Sequence, residues 1–383
     1  MTSTFNDYYF DDFAHPDDQI FTNFSVYLTA IIYYLTPFKL AISGVGFVLN
    51  TAHLIIVTRR PFRNNSIYTI MAGITVCDLF TMFVILKDLY LDRNGFFGKA
   101  ECWLPFSYLG LITHFILHTI QDCFRRLSTW LALLMALIRL LIVKNPLNAS
   151  FSFLSTRSFA LSLILVLLLV SSIIDFLTAI QYEFLDNGPY WIQHCPSFPR
   201  NYSVPYNWVV RESHITDDFR PLAVKYNLMS NGASKIVPAV TLPILSILLI
   251  RIMKNAAESR KRLANGSKDS EFEKSIRMVA LMTIFSMFAE GIIGTVSAIT
   301  TFYYDYYHIF ESNGLLDEIL INLAVLNAIV HCIICYTVNS QYQLEARKTF
   351  LWWRKNQVDV MQHQMYRKSS TKAHINASHT MIE

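Results

Sequence analysis

Seven stretches of this chain are apolar for about 20 residues each, and the polar positions gather between them. They are approximately Phe38–Thr58, Ile67–Leu91, Ile112–Val143, Arg157–Ile180, Ile236–Met253, Ile276–Phe302 and Leu315–Val338. An α-helix rises about 1.5 Å per residue, so each run is long enough to cross a hydrocarbon core of about 30 Å. The pattern predicts an all-α fold, a seven-transmembrane-helix bundle with its two ends on opposite sides. After the last run, Ser340 to Phe350 reads as a short amphipathic helix along the inner interface, with its aromatics in the headgroups and its bases toward anionic lipid.

Composition agrees with a membrane protein. With 383 residues, 53% hydrophobic and 16% charged, the chain is too apolar for an ordinary soluble protein of this size. The net charge of +4 matters less than where the charges fall. One side collects Arg59, Arg60 and Arg63, then Lys144 and Arg157, then the basic residues between Arg251 and Arg277, then Arg347, Lys348, Arg354 and Lys355. The bias of Lys and Arg toward the cytosol makes that side the inner one. The segment before Lys39 has no basic residue but carries Asp7, Asp11, Asp12, Asp17 and Asp18, which places it outside. The expected organisation is an extracellular N-terminus over 1–37, a bundle over 38–338 and a cytoplasmic tail over 339–383, in the plasma membrane. The first residues do not read as a cleavable signal peptide, and the first span can direct insertion.

Ionisable residues inside the spans are the next signal. A charged side chain at the bilayer centre costs roughly 2.5–3.5 kcal/mol on insertion scales, so it normally faces a bundle interior and marks function. The third span carries Asp122, Arg125 and Arg126 near one end and Arg139 near the other, with Arg125 roughly 20 Å above Arg139. Asp122 is within reach of both Arg125 and Arg126 on its own helix, and Glu290 is a further acidic partner for these arginines. Asp78 lies in the second span and Asn50 in the first. Lys87 and Asp88 approach the outer interface, where they are expected to snorkel.

Of the six cysteines, Cys102 and Cys195 fall in outer loops and read as one disulfide; the alternative partner for Cys195 is Cys123, inside the third span. Outward sequons stand at Asn23 and Asn201. The second outer loop is long and aromatic, a composition that suits a lid or a binding segment. No Gly-x-Ser-x-Gly, His-Glu-x-x-His or phosphate-binding loop is present, so no enzyme is expected. A metal or haem reading of His331-Cys332-Ile333-Ile334-Cys335 is set aside: haem attachment needs His after the second Cys, and no other ligand pair has suitable spacing.

Several of these segments carry a resemblance. Arg139 followed by aliphatics, with Pro146 and Leu147 beyond, resembles the third-helix signature of rhodopsin-like G-protein-coupled receptors. Gly46-Phe47-Val48-Leu49-Asn50 and the Asp78-Leu79 end of the second-span motif are similar to those receptors too. More closely, the third span and the His331-Cys332-x-x-Cys335-Tyr336 form resemble the nematode serpentine receptor class W family, related to FMRFamide and myosuppressin receptors. The chain departs from the wider pattern at Ile138, where an acid usually precedes the Arg, at Ala289 and Gly291, where Trp and Pro usually stand, and in a fourth span without Trp.

The resemblance implies a receptor that binds an extracellular ligand and activates a heterotrimeric G protein. Arg139, Pro146, Glu271, His331 and Cys335 would then serve coupling and activation. Asp78, with Asn50, Ser128 and Asn327, would form the polar core and hold a sodium ion; the alternative is a protonated Asp78 bonded to one of those three residues. Asp122, Arg125, Arg126, Glu290 and Asp305 would line the ligand pocket. Carboxylates and aromatic faces suit a cationic, aromatic peptide of the FMRFamide type. The alternatives are a chemosensory receptor for an environmental small molecule and, in a different class, a transporter or channel. Membrane lipid is the remaining partner, and nothing points to nucleic acid.

Overall fold

The structure is a computed structural model that describes residues 18–96, 105–145, 149–191, 202–212, 234, 236–255, 281, 284, 285, 288, 292 and 315–350. Its helices are α1 (Asp18–Val57), α2 (Ser66–Phe96), α3 (Tyr108–Lys144), α4 (Arg157–Ala179), α5 (Ile236–Asn255), α6 (Leu315–Val338) and α7 (Ser340–Phe350). Among the described residues six helices, α1 to α6, are long and apolar enough to cross a membrane. The expected span Ile276–Phe302 lies mostly outside the described residues, but Leu281, Ile284, Phe285, Phe288 and Ile292 within it are helical. The first helix begins at Asp18, well before the apolar window Pro37–Val57 that matches the expected span.

Exposure on α4 shows what solvent this fold was built for. Only Ala160, Ser171 and Asp175 of that helix are buried, whereas Leu165, Val166, Leu169, Val170, Ile173 and Phe176 point outward. A contiguous apolar surface of this kind is a liability in water and is matched in lipid, where the buried stripe can be small and polar. The helix starts are set locally: Ser107 caps α3 by accepting from Gly110 N at 3.2 Å, and Thr156 caps α4 by accepting from Phe159 N at 3.4 Å.

Packing radiates from α2 and α3. α2 lies against α1, α3 and α4, and α6 lies against α1 and α2. The main core cluster gathers Ile56, Ile70, Met71, Leu127, Leu131 and Ile334 near the basic turn that follows α1, where Phe62 is fully buried. A second cluster joins Met82 and Ile85 of α2 to Val325 and Ile329 of α6. Gly46 makes that junction possible, because a Cβ there would stand 2.9 Å from the Met82 Cε and 3.2 Å from Ile329. Small residues let membrane helices approach closely, and the Gly46-x-x-x-Asn50 segment is used in that way here. On the other side, Leu133 and Ala136 of α3 pack against Leu242 of α5.

The segment between α4 and α5 contains a feature that the apolar pattern did not predict. Strand β1 (Tyr182–Asp186) pairs antiparallel with β4 (Trp208–Glu212), and β2 (Tyr190–Trp191) pairs with β3 (Ser203–Val204), so the loop leaves α4 and returns as a hairpin. Asp186 anchors the turn between β1 and β2 by accepting from Gly188 N and Asn207 N, with Gly188 at φ +86°. The positive φ is the reason for glycine at that position. The hairpin rests on the N-terminal turns of α3, with Trp208 4.7 Å from Tyr108 and Phe184 5.4 Å from Phe115, ring centroid to centroid.

Replacing Gly46 by Val should drive α1 away from α2 and α6. Overpacking of this kind costs about 1–3 kcal/mol, and it is measured as a fall in the melting temperature of the detergent-purified protein, with Gly46→Ala milder. An unchanged melting temperature in Gly46→Val would contradict the close approach.

Candidate functional site

The residues singled out in the spans fall into three groups on successive levels of the bundle. At the middle level, Ser128 Oγ donates to Asp78 Oδ1 at 3.1 Å, joining α3 to α2. Asn50 sits one turn beyond Gly46, donates Nδ2–H to the Gly46 carbonyl at 2.9 Å and accepts from the Cys332 thiol at 3.3 Å, joining α1 to α6. Of the three partners expected for Asp78, Ser128 is therefore in place, whereas the oxygen of Asn50 is engaged by Cys332. Asn327 is half-buried on α6. Asp78 and Ser128 present oxygens, the donor type a small hard cation takes, so the pair is compatible in kind with sodium.

Above that level the three charges of α3 separate. Arg126 reaches across to α4, with its Nη1 2.9 Å from Asp175 Oδ1 and both side chains over nine-tenths buried. Its guanidinium also donates to the Ser171 carbonyl at 3.4 Å. Arg126 thus has a partner in Asp175 that the sequence reading did not name, and the pair is a tie between helices; the expected Glu290 lies outside the described residues. One turn away, Cys123 is a free thiol 3.7 Å from Ser172 Oγ, so it does not serve as the disulfide partner of Cys195.

Asp122 and Arg125 remain as a pair of their own, 3.7 Å apart, the carboxylate being 63% exposed and the arginine 22%. They lie 11 residues before Leu133 and Ala136, which is three helical turns to within about 20°, and so share the stripe that packs on α5 lower down. The carboxylate is thus presented on that stripe and the guanidinium is partly withdrawn beneath it.

At the other end of α3, Arg139 is 9% exposed, and its guanidinium points to Met71 Sδ at 4.0 Å. It meets no carboxylate among the described residues. Burial against α2 restrains this arginine where the wider receptor pattern would use an adjacent acid. Close by, α7 is sewn to the bundle. Tyr342 is buried, its phenol 2.7 Å from His53 Nδ1 of α1, and Asn339 donates Nδ2–H to the Tyr68 hydroxyl at 2.9 Å. Burial pushes the Tyr342 phenol up from its ordinary value, so it keeps its proton. The expectation of aromatics in the headgroups is corrected at this position, because Tyr342 turns inward and stacks near Phe62, whereas Phe350 is exposed.

His331 meets His53 edge to face with ring centroids 5.7 Å apart, and the ligand atoms of His53, His331 and Cys335 fall within 4.8 Å of one another. A second such group is Asp88, His114 and His118 at the far end of α2 and α3. Spacing along the chain cannot reveal either set, since each draws on two helices.

Cys102, Pro146, Cys195, Asn201, Glu271, Glu290 and Asp305 lie outside the described residues. Asn23 falls within the helical part of α1, with no side chain described. Residues that sequence reading did not assign are His53, Asp175, Cys332 and Tyr342. A signal existed for Asp175, a lone carboxylate in an otherwise aliphatic span; the others needed the packing of distant helices.

A family model described as the serpentine type 7TM GPCR chemoreceptor Srw matches residues 37–353, which take in all seven apolar runs. No curated protein matches the chain.

Removing one member of the α3–α4 ion pair strands its partner in a low-dielectric interior, at a cost of about 3–5 kcal/mol. Asp175→Ala and Arg126→Ala are each expected to lose most surface expression, and the apolar double replacement Arg126→Met with Asp175→Leu to recover much of it. Additive losses in the double variant, measured by surface staining and thermal unfolding, would contradict the pairing.

Proposed function

This chain belongs to the serpentine class W family of seven-transmembrane, G-protein-coupled chemoreceptors, and from that premise we propose that it is a receptor for a cationic, aromatic extracellular peptide, FMRFamide-like in chemistry, coupled through Arg139 to a heterotrimeric G protein. The observation that carries the ligand class is Asp122, an exposed carboxylate on the α5-facing stripe of α3, on the helix whose outer turns carry the hairpin bearing Tyr182, Phe184 and Trp208. An acid near aromatic faces recognises a guanidinium or amine next to an aromatic ring, through charge-assisted hydrogen bonds and cation–π contact. Arg126 is engaged by Asp175 on α4, so the charged pair that faces the ligand is Asp122 with its neighbour Arg125. Glu290 and Asp305 complete the proposed pocket.

The N-terminus is placed outside and the basic loops inside, in the plasma membrane, on the distribution of Lys and Arg. With that orientation the Cys102–Cys195 disulfide would tie the hairpin to the start of α3, a reading supported by the aromatic contacts between them. Ligand can shift the bundle only by binding one arrangement better than the other. Its lever is α3, which runs without a break from the hairpin to Arg139. Release of Arg139 from Met71 opens the inner mouth toward the G protein, with Pro146, Glu271, His331 and Cys335 at that mouth. Asp78 and Ser128 would hold sodium in the resting arrangement.

The second reading, a chemosensory receptor for an environmental small molecule, is favoured by the family description itself. It uses the same path and differs only at the outer mouth. Membership in a receptor family speaks against a transporter or channel.

Cells expressing the receptor with a promiscuous G protein should respond to FMRFamide-like peptides, and Asp122→Asn should raise the half-maximal dose by about tenfold or more, the loss of one charge-assisted contact. Silence across such a peptide library, with responses to small odorants, would move the ligand class to the second reading. Arg139→Ala should abolish G-protein activation while leaving ligand binding at the surface. In membranes, sodium should lower agonist affinity in the parent protein and have no effect in Asp78→Asn; equal sodium sensitivity in both would remove the ion from Asp78.

A further inference from the structure

The outer ends of α2 and α3 carry a group of side chains that the receptor mechanism does not use. His114 and His118 are four residues apart and so share one face of α3, with ring centroids 4.3 Å apart. Asp88 of α2 faces both, its Oδ2 3.0 Å from His118 Nε2 and its Oδ1 3.8 Å from His114 Nε2. All three ligand atoms fall within 4.8 Å of one another, and the three residues are half-buried. The expectation that Asp88 simply snorkels to the interface is corrected by this arrangement.

We propose that Asp88, His114 and His118 form a binding site for a divalent transition-metal ion, zinc above all, that staples the outer end of α2 to that of α3. The donor set is two imidazole nitrogens and one carboxylate, which suits zinc and leaves a fourth position for water. Ligands about 2.0–2.1 Å from a tetrahedral ion stand roughly 3.3 Å from one another, and the separations of 3.0 and 3.8 Å bracket that value.

The orientation of His118 agrees. Its Nε2 is shut off from solvent and turned to the Asp88 carboxylate, 3.0 Å from Oδ2, so both donors already stand at the spacing of two ligands of one ion.

Lys87 occupies the same carboxylate, with its ammonium 3.1 Å from Asp88 Oδ1. Its flexible stem lets it swing out when the metal arrives, so it sets how much zinc is needed and does not close the site. The depth is accessible. His118 lies 21 residues from Arg139, about 31 Å along α3, at the membrane face opposite the basic loops. That this face is extracellular rests on the orientation proposed above; the metal site itself does not.

The full-length receptor, purified in detergent, is melted with tryptophan fluorescence as the readout, in ZnCl2 and in MgCl2. A ligand of the native state raises the melting temperature in proportion to the logarithm of its concentration above Kd. The parent protein should show a saturable upward shift with micromolar zinc and none with magnesium. The shift should be lost in the H114A/H118A double variant and in Asp88→Asn, moved to lower zinc in Lys87→Ala, and retained in His331→Asn, which alters the other His-containing cluster. No zinc shift in the parent, a shift that survives H114A/H118A and Asp88→Asn, or one lost in His331→Asn would overturn the proposal.

Discussion

A polar side chain inside lipid has no water to fall back on, and this bundle is assembled around that constraint. Arg126 and Asp175 make an ion pair at 2.9 Å between α3 and α4. Ser128 and Asp78 join α3 to α2, and Asn50 with Cys332 joins α1 to α6. Apolar packing cannot do this alone, because lipid tails are as good a partner for leucine as another helix is. The polar ties choose which helices are neighbours and at what height, and small residues such as Gly46 allow the backbones to come close enough for the ties to form. The outward-facing leucines and valines of α4 need only meet lipid.

The same constraint explains why the two ends of α3 differ. Arg126 is fully engaged and has little freedom. Arg139 is buried with a thioether for its nearest named partner, a much weaker contact than a carboxylate. A cation held mainly by burial is poised to move when its surroundings change, whereas a paired one is not. In the proposed mechanism this makes the upper part of α3 a rigid rod and its inner end the part that reports. The α7 contacts, Tyr342 with His53 and Asn339 with Tyr68, fix the frame against which that motion is felt.

Much of this architecture was legible from the chain. Lipid thickness sets helix length, so apolar runs gave span positions that agree with α1 to α6 within a few residues, although α1 reaches back to Asp18. Asn50, Asp78, Arg126 and Arg139 stood out because each is expensive in lipid. Their partners did not. Asp78 and Ser128 are 50 residues apart and Asn50 and Cys332 are 282 apart, and no periodicity links residues on different helices. Tyr342 turns inward against expectation because an amphipathic pattern fixes a helix's polar face and not which aromatic is buried. The hairpin had no local signal: Asp186-Asn187-Gly188 reads as a tight turn, but β1 pairs with β4 and β2 with β3, so the pairing joins segments more than ten residues apart. His114 and His118 have the i, i+4 spacing of a metal pair, contrary to the expectation that no further ligand pair is suitably spaced, and the third ligand comes from another helix.

The account depends on an odd number of crossings with the basic loops inside, and the direct measurement is the side on which each terminus lies. With different epitope tags at the N- and C-termini, intact cells should stain only for the N-terminal tag, and the C-terminal tag should appear after permeabilisation. Both tags on one side, or an N-terminal tag visible only after permeabilisation, would contradict the account.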